Sequence, residues 1–531
     1  MKRALTKATR LMLACVLAAL ALAHAARADI GVGVADSLST SSPQDAERFF
    51  DTMKDVGLDE NRITVLWDPA RPTEISGREA LDRALEFASA RGIRITFSVY
   101  PSRARAFADS PAALGQFVGF LRLLARAYPQ VKDFIVGNEP NKARFWQPQF
   151  NVNGAAAACA AYEPVLAAGY DVLKAVDPGI RVIGVGLGPR GTDNPLARDN
   201  LSISPVRCLR DIGRAYRASR RTRPIMDELS LHPHPNASTD ELETGYTWPN
   251  AGIPNLDRVK QAVWDAFYRT AQPTFEEAGL PRGPVRTLKL RLNEVGWQVA
   301  IPPGSLGAYY GRESVVTTDE GNQAAIYGNL IPRLACDPAV KSVLFFNLVD
   351  EPDLDRWQSG LLRADWTRRP SYGIVKGAIA AGATHCVGRV ARWRHEFKPV
   401  GVHVGFPRRP RSSGKTAWSF VAGSEEGTLF TAGLFRVSRA GVVPASVRGR
   451  ITRALRTRRV PGASSKASGK LAGGWEKVVN LPGKRVAPGY YVYAARLVAE
   501  MNLARKATYV GRAFQVGEPA RAGRARKKRP R

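Results

Sequence analysis

The chain has 531 residues, with 78 Lys+Arg against 47 Asp+Glu and a formal net charge of +31. That length excludes a single average domain and calls for two or three. The charge is uneven: residues 386–531 hold 32 Lys+Arg and 6 Asp+Glu (net +26), leaving 46 and 41 (net +5) to residues 1–385, which excludes one job shared evenly along the chain.

Lys2, Arg3, Lys7 and Arg10 precede an apolar run from Leu11 to Leu22, and Ala26-Arg27-Ala28 offers a small-x-small cleavage site before Asp29. Residues 1–28 are therefore read as an export signal and the mature chain as secreted. The run is too short to span a bilayer, so no membrane span is expected. Cys15 lies inside it, but so close behind Arg10 that a lipoprotein signal is a poor reading. Four cysteines remain, Cys159, Cys208, Cys336 and Cys386. An even number in an exported chain permits disulfides. Nearness in sequence favours Cys159 with Cys208 and Cys336 with Cys386, although three pairings exist and buried thiols are the alternative.

From Asp29 to about residue 381, short apolar runs alternate with amphipathic ones. The spacing predicts strands at Ile30–Val34, Arg62–Trp67, Ile93–Val99, Asp133–Asn138, Arg181–Gly186, Glu228–His232, Leu288–Glu294 and Ser342–Leu348. Helical patterns lie between them at Pro43–Val56, Gly77–Ala90, Pro111–Ala127, Ala155–Val176, Ile253–Ala278 and Asp319–Leu334. Eight such alternations predict an α/β fold, a (β/α)₈ TIM barrel over 29–385. An open doubly wound sheet is the rival, disfavoured because no Gly-rich phosphate turn follows the first strand. Long loops after strands five, six and seven (187–206, 233–252, 298–316) would lie at the C-terminal face. After Cys386 the runs shorten: Thr416–Val421, Thr428–Phe435, Ala445–Leu455, Gly489–Val498 and Thr508–Val516. They predict a small β-sandwich, Ig-like, over 386–518 with no helix of length. Segments 404–415 and 459–474 are expected to be mobile, and 519–531 to be a disordered basic tail.

Two carboxylates stand out. Glu139 ends the fourth strand in Asn138-Glu139-Pro140-Asn141, and Glu294 ends the seventh in Leu292-Asn293-Glu294-Val295-Gly296-Trp297. An uncommitted charge is poorly placed behind an apolar strand, whereas two acids at facing strand tips suit the cleavage of a glycosidic bond. Here the chain resembles clan A of the glycoside hydrolases over Asp29 to about Gly377. The resemblance implies Glu139 as acid/base, Glu294 as nucleophile and Asn138 as a partner of the sugar 2-hydroxyl. It implies that Arg62 pairs with the nucleophile, and that His232 and His234, in Ser230-Leu-His-Pro-His-Pro235, correspond to the clan's His-x-Tyr. Phe346 stands where the clan usually has tryptophan, so the platform under the sugar would be altered or supplied by Trp357. Trp67, Trp146, Trp248, Trp297 and Trp357, all at or beyond strand tips, are expected to stack on sugars.

The expected function is thus a secreted retaining glycoside hydrolase cleaving a β-linked oligo- or polysaccharide through a covalent intermediate. Its alternative is a catalytically inactive barrel that binds glycan or cell wall. No cofactor is expected. His232-x-His234 could suggest a metal, but comparable metal barrels carry their pair on the first strand, which offers only Asp36 nearby. The basic C-terminal region could suggest nucleic acid; export argues against that and favours an anionic cell-wall polymer, with a plain solvated surface as the bland reading.

Overall fold

The computed structural model describes residues 29–277, 287–407, 418–474, 476–482 and 486–517. The expected export signal, the basic tail and much of the 404–415 segment lie outside the described residues. By contacts the chain divides into two compact units. One comprises residues up to 245, 252–257 and 267–393; the other comprises 246–251, 258–266 and everything from 394. The first unit runs to 393 rather than 385 because the Cys336–Cys386 disulfide and the Ala391 N–Cys336 O bond tie the segment after Cys386 to it.

In the first unit eight parallel strands close into a barrel in chain order: β1 Gly31–Ala35, β2 Glu60–Trp67, β3 Arg94–Pro101, β4 Asp133–Val136, β5 Arg181–Leu187, β6 Glu228–Leu231, β7 Lys289–Val295 and β8 Val340–Phe345. β1 pairs with β2 and with β8, Gly31 opposite Ser342, so the sheet has no free edge. Helices alternate with strands, as parallel pairing requires. Helix Pro43–Val56 shows why they form: Ser42 Oγ accepts from Asp45 N at its start, Pro43 opens the first turn, and Gly57 at φ +90° closes it. Its Ala46, Phe49, Phe50, Met53 and Val56 make one buried stripe. The helix expected over Ile253–Ala278 is shorter: a 3₁₀ turn at Ile253–Asn255, then Leu256–Phe267. Arg269, in the left-handed region at φ +57°, and Pro273 stop it.

Two-residue periodicity decides what each strand contributes. On β2, Ile63, Val65 and Trp67 are buried, while Glu60, Arg62 and Thr64 share the opposite face. Glu60 lies at the floor, where fully buried Arg291 of β7 bonds Glu60 (2.5 Å), Asp133 of β4 (3.2 Å) and Glu228 of β6. Burial works against the Arg291 cation, but the three carboxylates outweigh it and push its pKa up. An ionic cluster, not only aliphatic side chains, therefore fills the lower barrel.

The second unit is a β-sandwich of two antiparallel sheets. Its strands are β9 His403–Gly405, β10 Trp418–Gly423, β11 Thr428–Val437, β12 Ala463–Leu471, β13 Lys477–Leu481, β14 Gly489–Ala499, β15 Lys506–Val510 and β16 Phe514–Val516. One sheet runs β13-β10-β9 and the other β12-β11-β14-β15, with β16 on β14. Trp418, Phe420 and Leu481 of the first meet Leu434, Tyr491 and Tyr493 of the second in its core. Two expectations are corrected. Ala445–Leu455 is not a strand but a helix, Ala445–Ala454, whose Ile451 and Ala454 pack with Phe435 and Val492. Within the segment expected to be mobile, 463–471 is a strand paired with β11 from Thr428 to Phe435.

Candidate active site

Glu139 follows β4 through Gly137 and Asn138. Gly137 has φ +91°, and a Cβ there would lie 2.7 Å from the Tyr162 ring, so only glycine fits. Tyr162 itself donates to Val136 O. Glu139 also adopts a positive φ, +38°, and its N–H donates to Gly186 O at 2.8 Å. Such backbone strain persists only where the surroundings fix it. Gly186 belongs to a bulge in β5, where the register with β6 shifts between Val185 and Leu187. A second register shift, between Leu292 and Val295, lies in β7. It explains how Arg291 and Glu294, three residues apart, both serve the barrel interior.

The two carboxylates meet. Glu139, Glu294 and His232 each offer an atom within 4.8 Å of the other two. Arg62 Nη1 donates to Glu294 Oε1 at 2.6 Å, and its Nη2 donates to Asn138 Oδ1 (2.8 Å) and Ser98 Oγ (2.9 Å). One guanidinium thus fixes one carboxylate and the amide beside the other, leaving the Asn138 NH₂ as a donor. His232, fully buried, sets Nδ1 3.2 Å from Glu139 Oε1 and 3.6 Å from Glu294 Oε2. His234 Nε2 lies 3.5 Å from Glu294 Oε2. Burial would raise the pKa of Glu294; His232, Arg62 and His234 outweigh it and hold the carboxyl well below its usual range. Glu294 is therefore an ionised nucleophile candidate at neutral pH. The same three groups could hold a divalent cation, but Arg62 already supplies Glu294 with its positive charge.

Above them opens a cleft of about 1170 Å³, lined among others by Arg62, Asn138, Glu139, His234, Glu294 and Trp357. His234, Phe346 and Trp357 form an aromatic cluster, with ring centroids 4.4 Å apart for His234–Trp357 and 5.2 Å for Phe346–Trp357. The expected tryptophan surface is corrected elsewhere. Trp67 is fully buried against Phe107 and Phe117, because its place on β2 points it outward under the helices. Trp146 stacks on Phe107, and Trp297 is 2% exposed, its Nε1 donating to Asp240 O. A ring at a strand tip can equally close the core beneath the mouth.

Three contributors escaped the sequence reading. Tyr100 lines the cleft and Ser98 holds Arg62; both continue the alternation Arg94, Thr96, Ser98, Tyr100 along β3, a polar stripe that could have revealed an inward face. Asp36, weighed only as a metal ligand, lines the cleft, and burial pushes its pKa up to about 6 against hydrogen bonds from Leu38, Leu348 and Val349.

No protein-family model matches the chain, and no curated protein sequence matches it. Among solved structures, it is similar to a family 39 glycoside hydrolase from the gut symbiont Bacteroides cellulosilyticus WH2, at 17% identity and TM-score 0.45 over 78% of this chain and 74% of that one. A monomeric beta-xylosidase from Caulobacter crescentus CB15 gives 14% and 0.41 over 86% and 93%. Xylanase 10B from Thermotoga maritima gives 11% and 0.41 over 67% and 97%.

Proposed function

We propose that the chain is an exported glycoside hydrolase that cleaves β-linked glycans with retention. The observation that carries the reading is the approach of Glu139 and Glu294 within 4.8 Å across the barrel mouth. Retaining enzymes hold their two carboxyl groups about 5–5.5 Å apart, and inverting ones leave room for a water between them. Glu294, ionised beside Arg62, attacks the anomeric carbon; Glu139 protonates the leaving oxygen and then, as a base, activates water. Asn138 binds the sugar beside the reacting carbon, and Trp357 with Phe346 forms the platform. Export is supported by the two disulfides, Cys159–Cys208 and Cys336–Cys386, which persist in oxidising compartments. The basic second unit would attach the enzyme to anionic wall polymer.

A 2-deoxy-2-fluoro-β-glycoside with a dinitrophenolate leaving group tests the mechanism. Mass spectrometry should find the sugar on the peptide containing Glu294, and Glu139→Ala should cut turnover of an unactivated aryl β-glycoside by about 10²–10⁴. Full activity in Glu139→Ala and Glu294→Ala would refute the assignment. A second reading, an inactive glycan-binding barrel, draws on Phe346 and His234 standing in the platform and beside Glu294. Glycan binding without any covalent label would favour it.

A further inference from the structure

The cleft is divided by charge. Lys142, Arg144, Arg190 and Arg198 line it from the segments after β4 and β5. Asp36, Glu351, Asp353 and Asp355 line it from those after β1 and β8. In a closed ring of eight strands, β1 faces β5 and β4 faces β8, so the two walls oppose each other. The basic wall is one construction: Ala143 N donates to Leu201 O, and Lys142 bridges to Ser202, fastening the β4 segment to the β5 segment. Among the described residues, none of its four cations is in an ion pair; Arg190 donates to the Asn236 amide oxygen at 2.9 Å and Lys142 to that of Asn200 at 3.4 Å. The acidic wall is partly offset, since Arg356 lies 4.0 Å from Asp353.

The basic wall stands on the Glu139 side. A Cβ at Gly188 would fall 2.7 Å from Lys142 Cε and 3.1 Å from Glu139 Oε1, so the lysine stem and that carboxylate flank one glycine. A general acid must reach the oxygen it protonates, so the departing sugar lies beside Glu139 and the retained one beside Glu294. Resting on the hydrolase reading above, we propose that the site takes glycans whose leaving residue is anionic, gripped by Arg144, Arg190 and Arg198, with a neutral residue retained against the acidic wall. Guanidinium forks suit a carboxylate or an ester phosphate.

The test uses the full-length enzyme and two aryl β-glycosides of the same sugar. One releases 4-methylumbelliferone; the other releases 7-hydroxycoumarin-4-acetate, which has the same reacting oxygen plus a carboxylate. The charged substrate should show kcat/KM about tenfold higher. The preference should shrink with salt and vanish in Arg144→Ala/Arg190→Ala/Arg198→Ala, read as the ratio of the two kcat/KM values within that variant. Each single variant should lose part of it, which covers failure of the triple variant to fold. Inhibition of neutral turnover by glucuronate more than by glucose 6-phosphate assigns a carboxylate, and the reverse order a phosphate; either supports the subsite. Equal kcat/KM for both substrates, a preference that survives the substitutions, or inhibition no stronger than by glucose would overturn it while leaving the hydrolase intact. Turnover of no β-glycoside at all brings down the hydrolase reading itself, and the subsite with it.

Discussion

Arg62→Met removes one buried cation and little volume. The guanidinium is 4% exposed and makes three hydrogen bonds, to Glu294, Asn138 and Ser98. A hydrogen bond to a buried charge contributes about 1.5–3 kcal/mol, and one pKa unit corresponds to about 1.4 kcal/mol. The Glu294 carboxyl should therefore rise toward its usual range, with His232 and His234 still holding it down. The sign follows from the depressed value. Wild-type Glu294 stays ionised above the unfolded value and down to its folded pKa; its stabilisation, and the attacking carboxylate, are lost only as pH falls through that folded value. In the variant the acid limb of kcat/KM should begin at higher pH. The neutral plateau should also fall about ten- to a hundredfold, since Asn138 and Glu294 lose their common anchor. Profiles of kcat/KM from about pH 3 to 8 on an aryl β-glycoside measure both. An unmoved acid limb with wild-type kcat/KM would refute the role given to Arg62.

Arg291→Met should cost about 3–5 kcal/mol at neutral pH in chemical denaturation, because it takes from Glu60, Asp133 and Glu228 the one buried cation they share and leaves them only the partly exposed Arg94, Arg181 and Lys341. The penalty should shrink in acid, where the under-compensated carboxylates become neutral; a neutral substitution would argue that the cluster is not a unit. Trp67→Ala should cost about 3–5 kcal/mol of stability and leave KM alone, whereas Trp357→Ala should raise KM with little loss of Tm. The opposite pattern would restore Trp67 to the binding surface. Replacing Cys159 and Cys208 by alanine opens a link between residues 49 apart in sequence and should lower stability by about 2–4 kcal/mol, read from denaturation under non-reducing conditions.

The barrel was legible because buried parallel strands are apolar runs whose ends the punctuation marks, as at Arg181–Leu187 and Glu228–Leu231. Less legible was anything where two periodicities coincide. Val447 and Ile451 are four apart, a spacing that a strand face and a helix face both satisfy; Pro444 before Ala445 was the signal for a helix start. Strand β12, Ala463–Leu471, is mostly Ser, Lys, Gly and Ala, and its place comes from backbone pairing with β11, which composition does not encode. At the mouth, Asn138-Glu139 and Glu294 announced themselves as acids behind apolar runs. The tryptophans misled because position near a strand tip does not say which way a ring turns; on β2 the parity set by Arg62 does. The opposed charges of the cleft come from four separate segments, and only barrel closure gathers them.

The placement of His232 limits what the two acids can do at once. Ionised carboxylates only accept, so the Nδ1 that faces both must carry a hydrogen, while Nε2 has no partner among the described residues. That lone hydrogen cannot serve both oxygens equally. Under the proposed mechanism, Glu294 would have the stronger claim on it while Glu139 is protonated; once Glu139 had given up its proton and Glu294 was masked as an ester, the claim would reverse. In that reading the imidazole would swing its allegiance once per half-reaction without leaving its seat, so that the two carboxylates need never face a sugar as two unscreened negative charges.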